Sequence, residues 1–209
     1  MKPLIIINLK TYKQGIEVIK LAKIIENIDD KIIVGAQATD IYRLSQNTKL
    51  QIFCQHSDFQ DVGRNTGFIL PEAIKSNGAK GVFLNHSEHR IKFDEIKKTI
   101  IRCKKIGLKT AIFVNDLKQA LEIKKLKPDY LIIEPPELVA GKVSVSKSKP
   151  ELIKKIKEKL KYDFIVGAGI KTNEDIEIAM KLGAKGIAVS SAITQAKNPA
   201  KKLREFLGK

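Results

Sequence analysis

Eight short apolar runs punctuate the chain, at Leu4–Leu9, Ile32–Ala36, Gln51–Cys54, Gly81–Leu84, Thr110–Val114, Tyr130–Ile133, Phe164–Val166 and Gly186–Val189. Most are apolar at every position instead of every second one. A strand with one wet face alternates; a run without polar members is expected where helices or a second layer cover both faces, as in a parallel sheet. The 209 residues leave about 26 per run, enough for one strand, one helix and two short loops.

The intervals carry helical periodicity. Ile16, Ile19, Ala22, Ile25 and Ile28 form one stripe, and Phe93, Ile96, Ile100 and Cys103 another. Between Lys149 and Lys161 the apolar face is Leu152, Ile153, Ile156 and Leu160, with Lys154, Lys155, Lys157 and Lys159 outside. Pro150 suits a first helical position and Glu151 the first turn. Asn173-Glu174-Asp175 opens a segment that continues through Ile176, Ala179, Met180 and Leu182 to Gly183, an acidic start and a glycine stop. Short helices are expected in the Leu44–Leu50 region and at Leu70–Asn77, and a closing helix at Lys197–Leu207. Strand-helix alternation predicts an α/β fold. Eight units without a linker predict one domain over 1–209, closed into a barrel. Periodicity by itself leaves closure open, because a doubly wound sheet would bury the same stripes and keep two edges.

Several classes drop out. No run approaches 18 unbroken apolar residues, so no membrane span is expected. The segment Met1–Asn8 is too short for a signal peptide and reads as a buried strand. Cys54 and Cys103 stand far apart with no CxxC pair, which argues against a disulfide scaffold or cysteine metal site and for a reducing cytoplasm. The net charge of +16 suits contact with anions. The lysines are nonetheless scattered, aromatics are 6% of the chain, and Trp is absent. No nucleic-acid partner is therefore expected.

In a barrel, chemistry belongs at the C-terminal strand ends. Those positions hold Asn8-Leu9-Lys10, Gln55-His56, Asn85-His86-Ser87-Glu88, Asn115, Glu134-Pro135-Pro136, Gly167-Ala168-Gly169 and Ser190-Ser191-Ala192. The last two loops can turn backbone N–H groups toward a phosphate. Glu134, next to an apolar strand, suits a general base. His86 can have one ring nitrogen bonded by the N–H groups of a turn, leaving the other N–H for a substrate. Lys10 can face a dianion. His56, Glu88 and His89 lack the spacing of a zinc motif, so no metal is expected.

Taken in order, these motifs resemble the triosephosphate isomerase family in its short archaeal form, over nearly the whole chain. Asn8-Leu9-Lys10-Thr11-Tyr12 resembles the first-strand substrate motif. Gln55-His56 with Gly63 and Thr66-Gly67 resembles the third-strand loop that reaches a neighbouring subunit. Asn85-His86-Ser87-Glu88 resembles the histidine motif, and Glu134-Pro135-Pro136-Glu137-Leu138 the base and the start of the lid. Gly167-Ala168-Gly169-Ile170 and Ser190-Ser191 resemble the phosphate loops. The resemblance implies a TIM (β/α)8 barrel that interconverts dihydroxyacetone phosphate and glyceraldehyde 3-phosphate without cofactor. It implies Glu134 as base, His86 as electrophile and Lys10 as the cation beside the enediolate. Asn8, Leu9, Val139, Gly169, Ser190 and Ser191 would bind or frame substrate, with Glu88 and Gly141 in support. Pro135–Lys142 would form a mobile lid. A homo-oligomer is implied, a tetramer ahead of a dimer.

Three positions depart from the family's common pattern: Val139-Ala140-Gly141-Lys142 for Ile-Gly-Thr-Gly, Ser190-Ser191-Ala192 for Ala-Ser-Gly, and His89-Arg90 for an Arg pair. Another phosphate-binding barrel enzyme would share the last two loops but not the joint Asn8, Lys10, His86 and Glu134 set. A basic scaffold for RNA or acidic protein would present a contiguous lysine face and have no use for Glu134.

Overall fold

The computed structural model describes residues 3–136 and 144–209. Eight strands pair in parallel and in sequence order: β1 (Leu4–Asn8), β2 (Ile33–Ala36), β3 (Gln51–Cys54), β4 (Gly81–Leu84), β5 (Lys109–Val114), β6 (Tyr130–Ile133), β7 (Ile165–Val166) and β8 (Gly186–Val189). β8 returns to β1, from Leu4 beside Gly186 to Ile7 beside Val189, and the barrel closes. The open-sheet alternative is thereby excluded.

The fully apolar runs now have their reason. Alternate residues point to two different cores. Ile6, Ile33, Phe53, Phe83, Ala111, Phe113, Ile132, Ile165 and Ala188 fill the barrel interior. Their neighbours in the same strands, among them Ile5, Ile7, Val34, Ile52, Val82, Ile112 and Ile187, pack outward against the helices. Within the barrel the large side chains meet gaps: Phe83 lies over Gly35 and Phe53 over Gly81. Neighbouring aromatic rings run in a column, with centroids 6.0 Å apart for Tyr130 and Phe53, 5.8 Å for Phe53 and Phe83, and 5.5 Å for Phe83 and Phe113.

The helical stripes match with two shifts. In α1 (Ile16–Ile28) the buried face is Val18, Leu21, Ala22 and Ile25, and Ile16 is exposed. In α4 (Phe93–Lys105) it is Ile96, Thr99, Ile100 and Cys103, and Phe93 is exposed. Each exposed residue is the first of its helix, one turn ahead of the stretch that covers the sheet. The short helix α3 (Pro71–Ser76) and the closing helix α10 (Pro199–Phe206) fall where expected, whereas α2 (Ile41–Asn47) lies three residues ahead of the expected Leu44–Leu50 region. So do α7 (Pro150–Leu160) and α8 (Asn173–Lys181), the latter followed by Gly183 at φ 101°. The sequence reading does not name α5 (Leu117–Lys124) or α6 (Val145–Ser148). The signal for α5 is Asp116, whose carboxylate accepts the Gln119 N–H at 2.8 Å as an N-cap. A single turn, α9 (Ser191–Thr194), follows β8.

Cys54 and Cys103 are free and buried, and burial pushes their thiols up to about 11 and about 12.

A Cβ on Gly35 would lie 2.0 Å from Phe83 Cε2. Gly35→Ala is therefore expected to cost about 1–3 kcal/mol through overpacking of the barrel interior. Thermal unfolding measures it, and adding Phe83→Leu should recover part of the loss.

Candidate active site

The side chains that crown the barrel follow from the same alternation. Continuing each inward series by one step, or in β2 by a second step past Gly35, reaches Asn8, Gln37, Gln55, Asn85, Asn115, Glu134, Gly167 and Ser190. Each is polar or glycine, where the interior series below is almost wholly apolar.

At the end of β1 the backbone turns sharply. Lys10 has φ 49°, a left-handed conformation that costs a residue with a Cβ about 1–2 kcal/mol. Side chains hold it there. Asn8 Oδ1 accepts the Lys10 N–H at 3.0 Å, and Gln55 Nε2 donates to both Asn8 Oδ1 at 3.1 Å and Lys10 O at 2.9 Å. The Lys10 ammonium meets Glu88 Oε1 at 2.5 Å. Leu9 is buried against the helices and spends its N–H on Gly35 O. Its side chain lies outside the cleft and serves the scaffold.

At the end of β4, Asn85 also adopts a left-handed conformation, φ 61°. Its side chain donates to Phe113 O at 2.9 Å and accepts the Ile91 N–H at 3.3 Å. The turn that follows brings the Glu88 N–H to His86 Nδ1 at 3.1 Å. A nitrogen that accepts carries no proton, so the ring proton sits on Nε2. Nε2 lies 3.1 Å from Glu134 Oε2. The ring packs edge-on against Phe113, centroids 4.8 Å apart, on top of the aromatic column.

Glu134 follows β6, is 7% exposed, and has its N–H bonded to Val114 O. Ser87 Oγ stands 3.5 Å from Oε2. On the other side a Cβ at Gly167 would come within 3.0 Å of Oε1, so glycine there makes room for the carboxylate. Burial pushes the nearby Arg90 guanidinium down, against the opposing pull of the Glu134 charge. Arg90 donates to Asn85 O and to Asn115, which ties the β4 and β5 ends together.

The last two loops close the cup. Ala168 and Gly169 have φ 74° and 67°. In α9, Ser190 O takes the N–H groups of Ile193 and Thr194. The Ser191 and Ala192 N–H groups precede that first helical bond and are left for other acceptors. Ser190 Oγ is buried without a hydrogen-bond partner among the described residues. One cleft joins Asn8, Lys10, His86, Glu134, Gly169, Ser190 and Ser191, along with Tyr12 and Lys171. Glu88 stands behind Lys10. Val139 and Gly141 lie outside the described residues, as does most of the expected lid. Ser87 and Lys171 are absent from the residues that the sequence assigns to substrate. Ser87 could have been found from its place in the turn between His86 and Glu88. His56 bonds Asp58 at 3.0 Å and stacks on His89, centroids 4.4 Å apart.

A buried carboxylate, an imidazole with its proton directed at that carboxylate, an ammonium and a cup of backbone N–H groups can move a proton beside a carbonyl on a phosphorylated substrate. The model of the triosephosphate isomerase family matches residues 3–206. The chain belongs to the triosephosphate isomerase family. Among its relatives is the triosephosphate isomerase of Saccharolobus solfataricus, 44% identical, the match covering 98% of this chain and 95% of that protein. That of Sulfolobus acidocaldarius is 40% identical over 98% of this chain and 94% of its own. For Methanocaldococcus jannaschii the values are 37%, 98% and 98%. These three proteins each align with nearly the whole of the chain.

The hydrogen bond from Glu88 fixes one tautomer for His86. Nitrogen-15 NMR at neutral pH should report Nδ1 unprotonated and Nε2 protonated. A Glu88→Pro variant, which removes the donor, should lose that preference.

Proposed function

We propose that the chain interconverts dihydroxyacetone phosphate and D-glyceraldehyde 3-phosphate by proton transfer through an enediolate, with Glu134, His86 and Lys10 as its catalytic residues. The observation that carries the reading is the placement of His86, which accepts from Glu88 N–H at one nitrogen and faces Glu134 with the other. Substrate would enter with its phosphoryl group at Gly169, Ser190 and Ser191, where Ser190 Oγ and the Ser191 and Ala192 N–H groups offer donors. Its carbonyl oxygen would take the His86 Nε2–H in place of Glu134 and approach the Lys10 ammonium. Glu134, released from His86, removes a proton from the carbon beside the carbonyl. The electron pair moves to the oxygen, where two fixed donors stabilise the charge as it develops. The same carboxyl returns the proton to the adjacent carbon. Asn8 and Gln55 hold Lys10 in place, and Glu88 orients both Lys10 and His86. The resemblance places Val139 and Gly141 in the segment that covers the phosphate. The proton inventory balances without a cofactor.

Replacing Glu134 with Asp withdraws the carboxylate by about 1 Å. Turnover should fall about 100-fold or more, because reacting groups tolerate little misplacement. A coupled isomerase assay measures it, and an unchanged kcat removes Glu134 from the role.

We further propose one domain spanning the chain, a cytoplasmic setting and a homo-oligomer, the tetramer ahead of the dimer. Among the described residues no helix is long and apolar enough to cross a membrane. The loop between β3 and α3 exposes Val62 and Phe68, 77% and 48% accessible, which supports a partner surface. Arg102 of α4 braces this loop, donating to Phe59 O, Gln60 O and Asp61 and pairing with Glu72. Light scattering at micromolar concentration should find a multiple of 23.4 kDa. A fully active monomer overturns the oligomer.

A further inference from the structure

Three charged side chains and one imidazole line the cleft, and three of the four are already coupled. Lys10 meets Glu88 at 2.5 Å, and Glu134 lies against His86. The fourth is Lys171, on the wall of the same cleft as Gly169, Ser190 and Ser191. Its side chain is exposed, but its backbone is pinned. Asp175 Oδ2 accepts the Lys171 N–H at 2.9 Å and the Thr172 N–H at 3.0 Å, one of them within the capping box that starts α8. Burial pushes the Asp175 carboxyl up, and the hydrogen bonds from Lys171, Ser144 and Thr172 more than offset it, so the group stays an anion below its usual range.

The acids nearest Lys171 in sequence are engaged elsewhere. Lys147 Nζ reaches Glu174 at 2.6 Å and Asp175 Oδ1 at 3.4 Å, and Ser144 Oγ also donates to Asp175 Oδ1. Among the described residues no carboxylate forms an ion pair with Lys171. A phosphoryl dianion entering this cleft meets one ammonium that Glu88 already offsets and one further carboxylate, Glu134. Lys10, shared with Glu88, and hydroxyl and N–H dipoles leave part of the dianion's charge without a counter-charge in a partly desolvated site.

We propose that Lys171 is a second cation, beside Lys10, for the substrate's phosphoryl group, raising affinity for phosphorylated over unphosphorylated trioses. This rests on Gly169, Ser190 and Ser191 holding that group. The ammonium sits on a flexible stem at a fixed anchor, so it can follow the phosphate in and out without rearranging the cup.

The test compares Lys171→Met, Lys171→Arg and Ser190→Val in the whole enzyme. Lys171→Met should raise both KM for triose phosphates and the inhibition constant of inorganic phosphate about tenfold, as for a lost charge-assisted hydrogen bond. kcat should change less than KM, and the effect should shrink as salt rises. Lys171→Arg should restore most of the affinity. The loss in kcat/KM should be much larger for triose phosphates than for unphosphorylated glyceraldehyde. If Ser190→Val weakens phosphate inhibition and Lys171→Met does not, the cup stands and the Lys171 proposal falls. If neither variant alters phosphate inhibition, the cup reading falls with it. An equal loss for phosphorylated and unphosphorylated substrates in Lys171→Met assigns the residue a structural role and also overturns the proposal.

Discussion

Closing eight parallel strands on themselves fixes more than the core. All eight strands run in one direction, so all eight C-terminal ends reach the same rim, and groups as distant in sequence as Lys10 and Glu88 meet there. Closure also removes the edges that an open sheet would have to protect. It demands a filled interior, and this chain fills it asymmetrically. Phe53, Phe83 and Phe113 come from three consecutive strands, and Gly35 and Gly81 provide space for two of the rings. The aromatic column ends under His86, so the packing that fills the barrel also forms the floor of the site.

Two buried polar groups meet at one end of that floor. His86 and Glu134 are both buried and only 3.1 Å apart. The backbone N–H of Glu88 occupies His86 Nδ1, which dictates where the ring proton stays. Glu88 then acts twice, through its N–H on His86 and through its carboxylate on Lys10. The short stretch from Asn85 to Arg90 thus contributes several groups: His86 lines the cleft, Glu88 pairs with Lys10, and Asn85 and Arg90 bond the β5 end.

Much of this was legible in the sequence because parallel strands buried on both faces leave an unmistakable run of apolar residues. Strand ends followed within a residue or so, and with them Asn8, Lys10, His86, Glu134, Gly169 and Ser190. Harder to read was what depends on side-chain direction. Ile16 and Phe93 fit their helical stripes by spacing, but each precedes the part of the helix that lies on the sheet. Leu9 neighbours two site residues and points the other way, as alternation demands. α5 spans only eight residues, and its start is marked by one local signal, the Asp116 cap. Lys171 was obscured by abundance. Among 39 basic residues, type says nothing, and only the Asp175 anchor and the shared cleft single it out.

Backbone strain follows the same geography. Among the described residues, five without a glycine's freedom adopt positive φ, and Lys10, Asn85 and Ala168 are three of them, each just past a strand that feeds the site. A turn this tight lets a side chain double back over the barrel mouth instead of continuing into solvent. Glycine would relieve the strain but would remove the ammonium at 10 that meets Glu88 and the clamp at 85. The chain keeps the strained residues and ties them down, Lys10 through Asn8 and Gln55, Asn85 through its own amide to Phe113 and Ile91. The Gln55 tie spans from β3 past β2 to β1, and the Asn85 tie from β4 to β5, so they depend on the strands keeping their register. The precision of the site is thus a property of the whole ring of strands, and a slip in any one of them would be felt at Lys10 and His86 first.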